Sequence, residues 1–473
     1  MTNDFILFFP VVLVSLGAIG LMLAGTCRCF RLEHAAWASG GLFGLAFLVQ
    51  LSATLACDHS LYNSLFKDIL VVSPFSKAAG LVILGCGLFS VCSSISYFKR
   101  NNFSGVEYYS LLLFAAAGML LLTMTRELVT AFIALEIMSL AIYVLVGYDR
   151  DNVLSTEAVM KYLVLGAFGG AFFAMGGAFI FGAVGSTKFH LIGNFVATNG
   201  FSASPALLAG GFFIMVTLFF KAAAFPFHAW VLDVYDGASM PITGFMATAL
   251  KTAIFAVFAN FLLADAALQQ GWVNVLFYIA ILSMFMGNFI AIGQNSLKRM
   301  LAASGIVHSG YLLIGLVALG SQQQIPGSVI AYYLAAYAAG TLGIFSALSF
   351  LSGKGEQWKN FNDFKGLAKT NPYTAFAISI FLLSMAGIPP TAGFMGKLYI
   401  IIAAIKAGHV SLAVLGIVSS IIAMWYYLRL IVLMYFHEAE RSFVEEYPCR
   451  VGMVSTFVLV LCVFAISLYP IAL

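Results

Sequence analysis

Stretches of about 20 apolar residues, the length that a helix needs to cross the hydrocarbon core of a bilayer, follow one another along the chain. Only 9% of its 473 residues are charged, against about a quarter in soluble domains. The connections between the stretches are too short for a soluble catalytic domain. The pattern predicts an all-α membrane protein with about 14 transmembrane helices. The predicted spans are 5–25, 35–56, 76–97, 107–123, 127–147, 157–183, 206–226, 239–263, 272–292, 298–319, 327–351, 372–405 (interrupted), 410–435 and 452–471.

The basic residues of the connections predict how the chain is oriented. Loops that follow odd-numbered spans hold thirteen Lys and Arg residues, whereas the other loops hold only five. Because basic loops stay on the cytoplasmic side, both termini are predicted to lie on the opposite, outer side of the membrane. The net charge of +4 then reflects topology, and no nucleic-acid partner is expected.

Two predicted spans carry prolines in their interior, Pro226 in one and Pro389 and Pro390 in the other. Proline removes a backbone donor and frees the carbonyl about one turn earlier, so the breaks are expected to line cavities or to be buried in protein. The breaks lie 163 residues apart, and the same shift carries the fourth span onto the ninth. This predicts two inverted five-helix repeats, each with a broken helix, an architecture typical of secondary transporters.

The repeats divide the chain into four parts. Residues 1–106 are predicted to form an N-terminal three-helix segment, 107–265 the first repeat on the proton-uptake side, 266–436 the second repeat on the exit side, and 437–473 a C-terminal helix.

One glutamate and four lysines are predicted to lie deep inside hydrophobic segments: Glu136, Lys161, Lys221, Lys251 and Lys397. Each costs roughly 2.5–3.5 kcal/mol at the centre of a bilayer even on lenient scales. Such groups persist when they pair with one another, face water or move protons. They are therefore the main candidates for function.

Glu136 is the one carboxylate of nineteen that is predicted near mid-membrane, and Lys221 lies one turn before the Pro226 break. Burial disfavours a charged lysine and a neighbouring carboxylate favours it. A change in the distance between Glu136 and Lys221 would therefore load and release a proton. A static Glu–Lys pair that holds helices together is the alternative.

The other three lysines extend this scheme. Lys161 lies about one turn inside its span and either snorkels to the interface or shields Glu136; a cap at Ser155 or Thr156 would keep it inside. Lys251 is too deep to snorkel and is the expected central relay. Lys397, two turns past the second break, is the expected terminal donor.

Three further residues are weaker candidates for the relay. His308 is expected to bridge the two halves as a neutral relay or to be a packing residue, and His228 beside the first break is a weaker case. Lys298 is a further relay candidate, although it and Arg299 most simply anchor a helix end at the cytoplasmic interface.

No metal or cofactor site is expected in this chain. It contains neither a P-loop nor a G-x-G-x-x-G motif, which argues against nucleotide use. Its seven cysteines form no C-x-x-C pair and are interpreted as packing residues. Redox chemistry is expected in another polypeptide.

Several stretches are similar to the antiporter-like subunits of bacterial NADH-quinone oxidoreductase, respiratory complex I. They read FIALEIMSL, FFKAAAFPFHAWVLDVYDGASMPITGFMATALK, NSLKRMLAASGIVHSGYLL and DFKGLAKTNPYTAFAISIFLLSMAGIPPTAGFMGK. The resemblance covers nearly the whole chain and is densest from about 107 to 405. Two departures are small: Leu232–Asp233 stands where the family often has a proline, and Pro390 where other residues are common.

The resemblance implies a proton-pumping subunit with two inverted five-helix bundles. Matched by motif, Glu136 corresponds to the family's key glutamate, Lys161 to the opposing lysine, Lys221 and Lys251 to the central lysines and Lys397 to the exit lysine. The implied partners are other membrane-arm subunits, both antiporter-like and small, within the lipid bilayer. The implied location is the bacterial cytoplasmic (inner) membrane, with both termini on the periplasmic side. FMN, iron–sulfur clusters and quinone are implied in partner subunits.

The hypothesis is therefore a non-redox subunit of a proton-pumping translocase, in which quinone reduction elsewhere drives protons from cytoplasm to periplasm. Two alternatives stay open. One is a subunit of an Mrp-type cation/proton antiporter without redox coupling, and the other is a structural subunit whose buried charges only pair.

Overall fold

The computed structural model describes residues 2–27, 30–56, 63–66, 68–101, 105–200, 204–319, 327–351, 353–439 and 450–469. These residues are mainly helical. The helices are α1 Thr2–Ala24, α2 Leu32–Ala56, α3 Pro74–Asn101, α4 Glu107–Met124, α5 Leu128–Val146, α6 Val153–Val184, α7 Phe189–Asn199, α8 Pro205–Lys221, α9 Val231–Gly237, α10 Met240–Phe245, α11 Lys251–Leu262, α12 Ala266–Ile292, α13 Leu297–Leu319, α14 Ser328–Leu351, α15 Leu367–Thr370, α16 Pro372–Ala386, α17 Ala392–Lys406, α18 Val410–Phe436 and α19 Arg450–Ser467. Short 3₁₀ turns occupy Lys354–Glu356 and Phe361–Phe364.

Eleven helical segments in the described part of the chain are long and apolar enough to cross a membrane. Shorter apolar helices, α8, α16 and most of α19, accompany them. Each of the predicted spans overlaps one of these helices, or a pair of them. The chain is thus a multi-pass helical membrane protein.

Two elements fall in what the sequence pattern treats as connections. Strands β1 (Asn63–Leu65) and β2 (Leu70–Val72) form a short antiparallel hairpin between α2 and α3, so the all-α prediction is wrong at this point. Helix α7 buries Phe189, Ile192 and Val196 on one amphipathic face. It is too short to span a bilayer, which is why a search for long apolar stretches misses it.

The centre of the bundle is formed by the segment Met240–Leu262 and by α13, with α14 beside them. In α13 every residue except Arg299 is buried. Small residues allow α12 and α13 to approach closely: a Cβ on Gly310 would stand 2.9 Å from the Ala280 carbonyl oxygen. A helix so fully enclosed is screened from lipid and can carry polar groups.

The span with Pro226 and the span with Pro389 and Pro390 are both broken, whereas α1 continues as a helix through Pro10. Helix α8 ends at Lys221 and α9 begins at Val231, with Pro226 in the irregular segment between them. Helix α16 ends at Ala386 and α17 begins at Ala392, with Pro389 and Pro390 between them.

The carbonyl groups freed by the breaks have partners. Ser309 Oγ donates to the Ala222 carbonyl at 2.6 Å. Lys397 Nζ donates to the carbonyls of Met385 and Ala386 at 2.9 and 3.0 Å. Helix breaks therefore supply acceptors for polar side chains inside the bundle.

A π-helical turn, Met246–Leu250, joins α10 to α11 directly before Lys251. Such turns are rare and often occur at functional sites, because the extra residue re-aims the side chains that follow. No signal in the sequence pattern indicated it.

Candidate functional site

Lys221, at the end of α8, is buried with only 3% of its surface exposed. Its ammonium donates to Ser139 Oγ at 2.8 Å and to the Tyr143 hydroxyl at 3.2 Å, both on α5. The rings of Tyr143 and Tyr162 lie 5.3 and 5.6 Å from the nitrogen. The charge is thus held by neutral oxygens and aromatic faces.

Glu136 is half-buried on α5 and forms no ion pair with Lys221 within the described part of the chain. It still acts on Lys221 electrostatically. Ser139 and Tyr143 follow Glu136 by three and seven residues and so share its helix face. The expected direct charge pair is therefore indirect, with the two hydroxyls holding the ammonium in place of the carboxylate.

Lys161 is not buried, which favours the expected alternative that its side chain reaches the interface over a position shielding Glu136. Its side chain is 42% exposed, and its nitrogen lies 2.6 Å from both Glu157 and Asp233. Helix α6 begins at Val153 with Asn152 as its cap, earlier than the expected cap. Two carboxylates therefore neutralise Lys161 at the end of the bundle.

Lys251 is buried, with 3% of its surface exposed, and its ammonium donates to the Gly305 carbonyl of α13. The nitrogen lies 5.0 Å from the centroid of the Tyr337 ring. No carboxylate lies within 4 Å of it among the residues that the structure covers. Lys251 thus faces α13 and α14 with neutral partners only.

Polar groups of α13 connect the first break with the second half. Ser309 Oγ, which reaches the Ala222 carbonyl at the first break, also lies 3.1 Å from the Gly305 carbonyl that accepts from Lys251. The neighbouring His308 is buried, and its Nδ1 lies 2.7 Å from the Tyr333 hydroxyl. One buried helix therefore carries consecutive polar contacts across the middle of the bundle.

Lys397, on α17, is 5% exposed. Besides the Met385 and Ala386 carbonyls it donates to Ser420 Oγ at 3.0 Å. The ring of Tyr311 from α13 lies 5.2 Å from its nitrogen. The second break thus holds an amine with carbonyl and hydroxyl acceptors.

Lys298 differs from the expected interfacial anchor: its side chain has no exposed surface. Its nitrogen lies 2.7 Å from Glu356 Oε2 and donates to the Ala238 carbonyl at 2.6 Å. It lies ten residues before His308 on α13, about 15 Å along the helix. The structure therefore places Lys298 in a buried ion pair rather than beside the central histidine.

Asp233 and Asp236 of α9 anchor a group of charges that we call the charge cluster. Arg299 lies 2.9 Å from Asp233 and 3.7 Å from Asp236, and Lys359 lies 3.6 Å from Asp236. Lys161 is the fourth basic contact. Burial alone would raise the pKa of Asp233, but the hydrogen bonds from Lys161 and Arg299 outweigh it and hold that pKa below its ordinary value.

His228 lies in the irregular segment after the first break. Its ring stacks on Phe225 with centroids 5.0 Å apart, and its Nδ1 has no hydrogen-bond partner among the described residues. It is only half-buried. This placement separates it from His308, which sits between two tyrosine hydroxyls.

Sequence reasoning missed the neutral partners of the lysines. The helix-face spacing from Glu136 was a usable signal for Ser139 and Tyr143, and Ser309 adjoins His308 in the sequence. The Gly305 carbonyl and the π-helical turn carry no side-chain signal. Tyr333 and Tyr337 lie on α14, which the motifs did not single out.

The site thus consists of three buried amines, at the first break, at the centre and at the second break. Each is held by neutral oxygens. Buried amines beside helix breaks in a multi-pass helical fold are typical of the class of antiporter-like membrane proteins.

The comparisons with known proteins agree with that class. The model of the family described as NADH:quinone oxidoreductase/Mrp antiporter, TM, matches residues 125–423. Proteins named NADH-quinone oxidoreductase subunit N from Parvibaculum lavamentivorans and Rhodospirillum rubrum are 34% and 38% identical to the chain. These matches cover 94% and 91% of this chain and 90% and 87% of the relatives. The chain belongs to the family of NADH-quinone oxidoreductase subunit N.

Solved structures show the same fold. A chain of respiratory complex I from Thermus thermophilus with bound aureothin matches with a TM-score of 0.81 at 29% identity, covering 97% of each chain. A chain of the Mrp complex from Dietzia sp. DQ12-45-1b gives a TM-score of 0.83 at 20% identity, covering 99% of this chain and 95% of that one. At 20% identity, the similarity to the Mrp chain shows a shared fold and nothing further.

Proposed function

We propose that the chain is a proton-translocating subunit of the membrane arm of respiratory complex I, which moves protons from cytoplasm to periplasm. Protons are taken up on the side of Lys161, are held at Lys221, pass Lys251 and the His308 region, and leave past Lys397. Quinone reduction in other subunits drives the cycle. The subunit itself performs no redox chemistry.

The proposal includes the finer architecture. The chain has fourteen spans in two inverted five-helix repeats, residues 107–265 and 266–436, flanked by 1–106 and 437–473, with both termini in the periplasm. Breaks at corresponding places, after α8 and after α16, each with a buried lysine beside it, support the repeats.

The main support for proton translocation is that the buried lysines lack counter-ions among the described residues. Lys221, Lys251 and Lys397 have no carboxylate within 4 Å in the part of the chain that the structure describes. An ammonium removed from water without a counter-ion costs several kcal/mol. Such an amine therefore gains and loses a proton more readily than a paired one, which is the property that a relay needs.

The proposed path of proton uptake differs from the one expected from the sequence. Lys161 is exposed and bound to Asp233 and Glu157, so it acts as part of the charge cluster at the cytoplasmic mouth and does not shield Glu136. Glu136 tunes Lys221 from a distance through the α5 face that carries Ser139 and Tyr143. Movement of α5 against α8 would load and unload Lys221.

The partners follow from the same proposal. The relatives are named as subunits of NADH-quinone oxidoreductase, and a structural neighbour is a chain of respiratory complex I. Further antiporter-like and small membrane subunits would flank this chain in the bilayer. FMN, iron–sulfur clusters and quinone would belong to partner subunits.

Lys221→Met in the intact complex, reconstituted in liposomes, tests the proposal. Protons pumped per NADH oxidised are expected to fall, because the first amine of the relay is lost. Lys369→Met, at an exposed position on α15, is the matched control and is expected to pump normally. An unchanged proton-to-NADH ratio in an assembled Lys221→Met complex would contradict the pumping role.

A further inference from the structure

The hydroxyl of Tyr337 on α14 is a buried polar group without a use in the fold. The residue is 4% exposed, and its oxygen has no hydrogen-bond partner among the described residues. An unsatisfied buried polar group costs roughly 1–3 kcal/mol, and native structures contain few of them. A tyrosine kept at such a position in place of phenylalanine calls for an explanation.

The position of the Tyr337 hydroxyl suggests why a tyrosine is present here. A Cβ built on Gly305 would stand 3.5 Å from the Tyr337 oxygen and 3.6 Å from Lys251 Nζ. The two polar atoms therefore flank the same small space beside α13. The His308 and Tyr337 rings are also neighbours, with centroids 4.7 Å apart. Tyr337 thus contacts both the central lysine and the central histidine.

Other hydroxyls do not satisfy Tyr337. Thr341, one turn along α14, lies close to it, but its hydroxyl is directed at Met385 Sδ, 4.0 Å away. The hydroxyl of Tyr333 on the preceding turn is engaged by His308 at 2.7 Å. Neither side chain forms a hydrogen bond of ordinary length and angle with the Tyr337 hydroxyl in the described structure.

A small cavity lies on the other side of the tyrosine. Its volume is about 10 Å³, close to the minimum of about 10–15 Å³ that one water molecule needs. Its walls include His308, Tyr333, Tyr337, Ser384 and Met385. Met385 supplies one of the carbonyls that bind Lys397, so the cavity reaches from the central aromatic residues to the second break.

We propose that Tyr337 is a relay residue whose hydroxyl passes protons between Lys251 and a single water molecule in this cavity, on the way to Lys397. This inference rests on the proposed proton-pumping function and names a further carrier within it. The route runs beside the pair of His308 and Tyr333, which forms the opposite wall of the cavity.

The transfer balances without any other reactant. The Tyr337 oxygen accepts a proton from the Lys251 ammonium through the space beside Gly305, and the original O–H bond breaks as its proton moves to the cavity water. The tyrosine ends neutral, Lys251 becomes a neutral amine, and the water passes a proton towards Lys397. No electron is transferred.

Tyr337→Phe tests the inference, because it removes only the unpartnered oxygen. A hydroxyl that merely fills space predicts an assembled complex with unchanged pumping, since no hydrogen bond is lost. The relay predicts an assembled complex whose proton-to-NADH ratio falls by the same factor as in Lys221→Met, together with an altered solvent deuterium isotope effect. Tyr332→Phe is the matched control: its hydroxyl binds the Ile466 carbonyl outside the relay, and pumping should stay normal.

Gly305→Ala provides a second, independent test. Its Cβ would make contacts of ordinary length, and alanine favours helices over glycine, so the fold should be retained. The methyl group would occupy the space beside Lys251 and Tyr337, and the number of protons pumped per NADH oxidised should fall. Gly85→Ala, on α3 and with its nearest contact at 3.7 Å, is the control and should pump normally.

The outcomes separate this inference from the proposed function. Normal pumping in both Tyr337→Phe and Gly305→Ala, with reduced pumping in Lys221→Met, overturns the tyrosine relay and leaves the pumping subunit standing. Normal pumping in all three overturns both. Loss of assembly in Tyr337→Phe would mean that the hydroxyl stabilises the fold, which also contradicts the relay.

Discussion

Lys298 and Lys251 are buried to nearly the same degree, yet their surroundings are opposite. Lys298 lies 2.7 Å from a carboxylate, Glu356, in the region where α9, the start of α13 and the 3₁₀ turn Lys354–Glu356 meet. Lys251, in the middle of the bundle, has a backbone carbonyl and an aromatic face. Burial alone therefore does not distinguish a structural lysine from a relay lysine; the counter-ion does.

The difference has a direct energetic meaning. A buried ion pair keeps both members charged, because neutralising one would leave the other unpaired in a poorly solvated place. A buried amine with neutral acceptors has no such partner: its charged form is disfavoured by lost hydration, and release of its proton leaves no bare charge behind. Lys298 ties the end of α9 to α13 through the Asp236 carbonyl, whereas Lys221, Lys251 and Lys397 have no carboxylate partner in the described residues that would fix their charge.

The largest effect is expected at the buried pair. Lys298→Met leaves Glu356 as an uncompensated buried charge, which costs roughly 3–5 kcal/mol in measured cases. We expect little assembled protein in membranes, measured as the yield of detergent-stable complex. The effect on pumping per assembled complex should be small.

The double variant Lys298→Met/Glu356→Gln is the control for the first prediction. It removes both charges, and the substituted glutamine can still accept from the Met240 amide, as Glu356 does at 2.8 Å. Recovery of assembly would show that the unpaired charge is the cause. Normal yield of the single variant would contradict the distinction between the two kinds of lysine.

A smaller difference in stability is expected between the variants Lys251→Met and Lys397→Met. In Lys251→Met the Gly305 carbonyl retains a donor, because Ser309 Oγ lies 3.1 Å from it. In Lys397→Met the Ala386 carbonyl retains Ser420 at 3.1 Å, but the Met385 carbonyl loses Lys397. An unsatisfied buried acceptor costs roughly 1–3 kcal/mol.

Thermal unfolding of the purified complexes measures this difference. Both variants should lose pumping, but Lys397→Met should melt at a lower temperature than Lys251→Met. Equal melting temperatures would mean that the second break does not depend on the lysine for its hydrogen bonding. The reverse order would mean that Lys251 is the structural residue.

Much of the fold was predictable from the sequence because long apolar stretches have few alternatives. The helix breaks were also predictable, since proline removes a specific hydrogen bond at Pro226 and at Pro389. The hairpin and α7 were missed because short elements that do not span the bilayer leave no long apolar pattern. The π-helical turn depends on packing around Lys251, which no local signal records.

The site was only partly predictable. The sequence marks the amines, because an ionisable residue in an apolar stretch is conspicuous. It does not show which amines have counter-ions: Lys161 and Lys298 find carboxylates in distant segments, Asp233 and Glu356, and such pairings arise from tertiary packing. The same reason hides Tyr337, whose hydroxyl is informative only because nothing near it in the described part of the chain accepts its hydrogen.

The smallest effect is expected in the charge cluster, whose side chains are partly exposed. Asp233→Asn removes the carboxylate shared by Lys161 and Arg299, and exposed ion pairs contribute little, so the melting temperature should fall by no more than a few degrees at neutral pH. The pKa of Asp233 is lowered, so the carboxylate stabilises the fold above its ordinary value near 3.9 and ceases to do so as the pH falls through the lower folded value. The difference in melting temperature between wild type and variant should therefore be constant from neutral to mildly acidic pH and vanish in stronger acid.

Asp151→Asn, at an exposed position outside the cluster, is the control and should melt like the wild type. A loss of stability in Asp233→Asn as large as in Lys298→Met would mean that the cluster, too, is a buried structural pair.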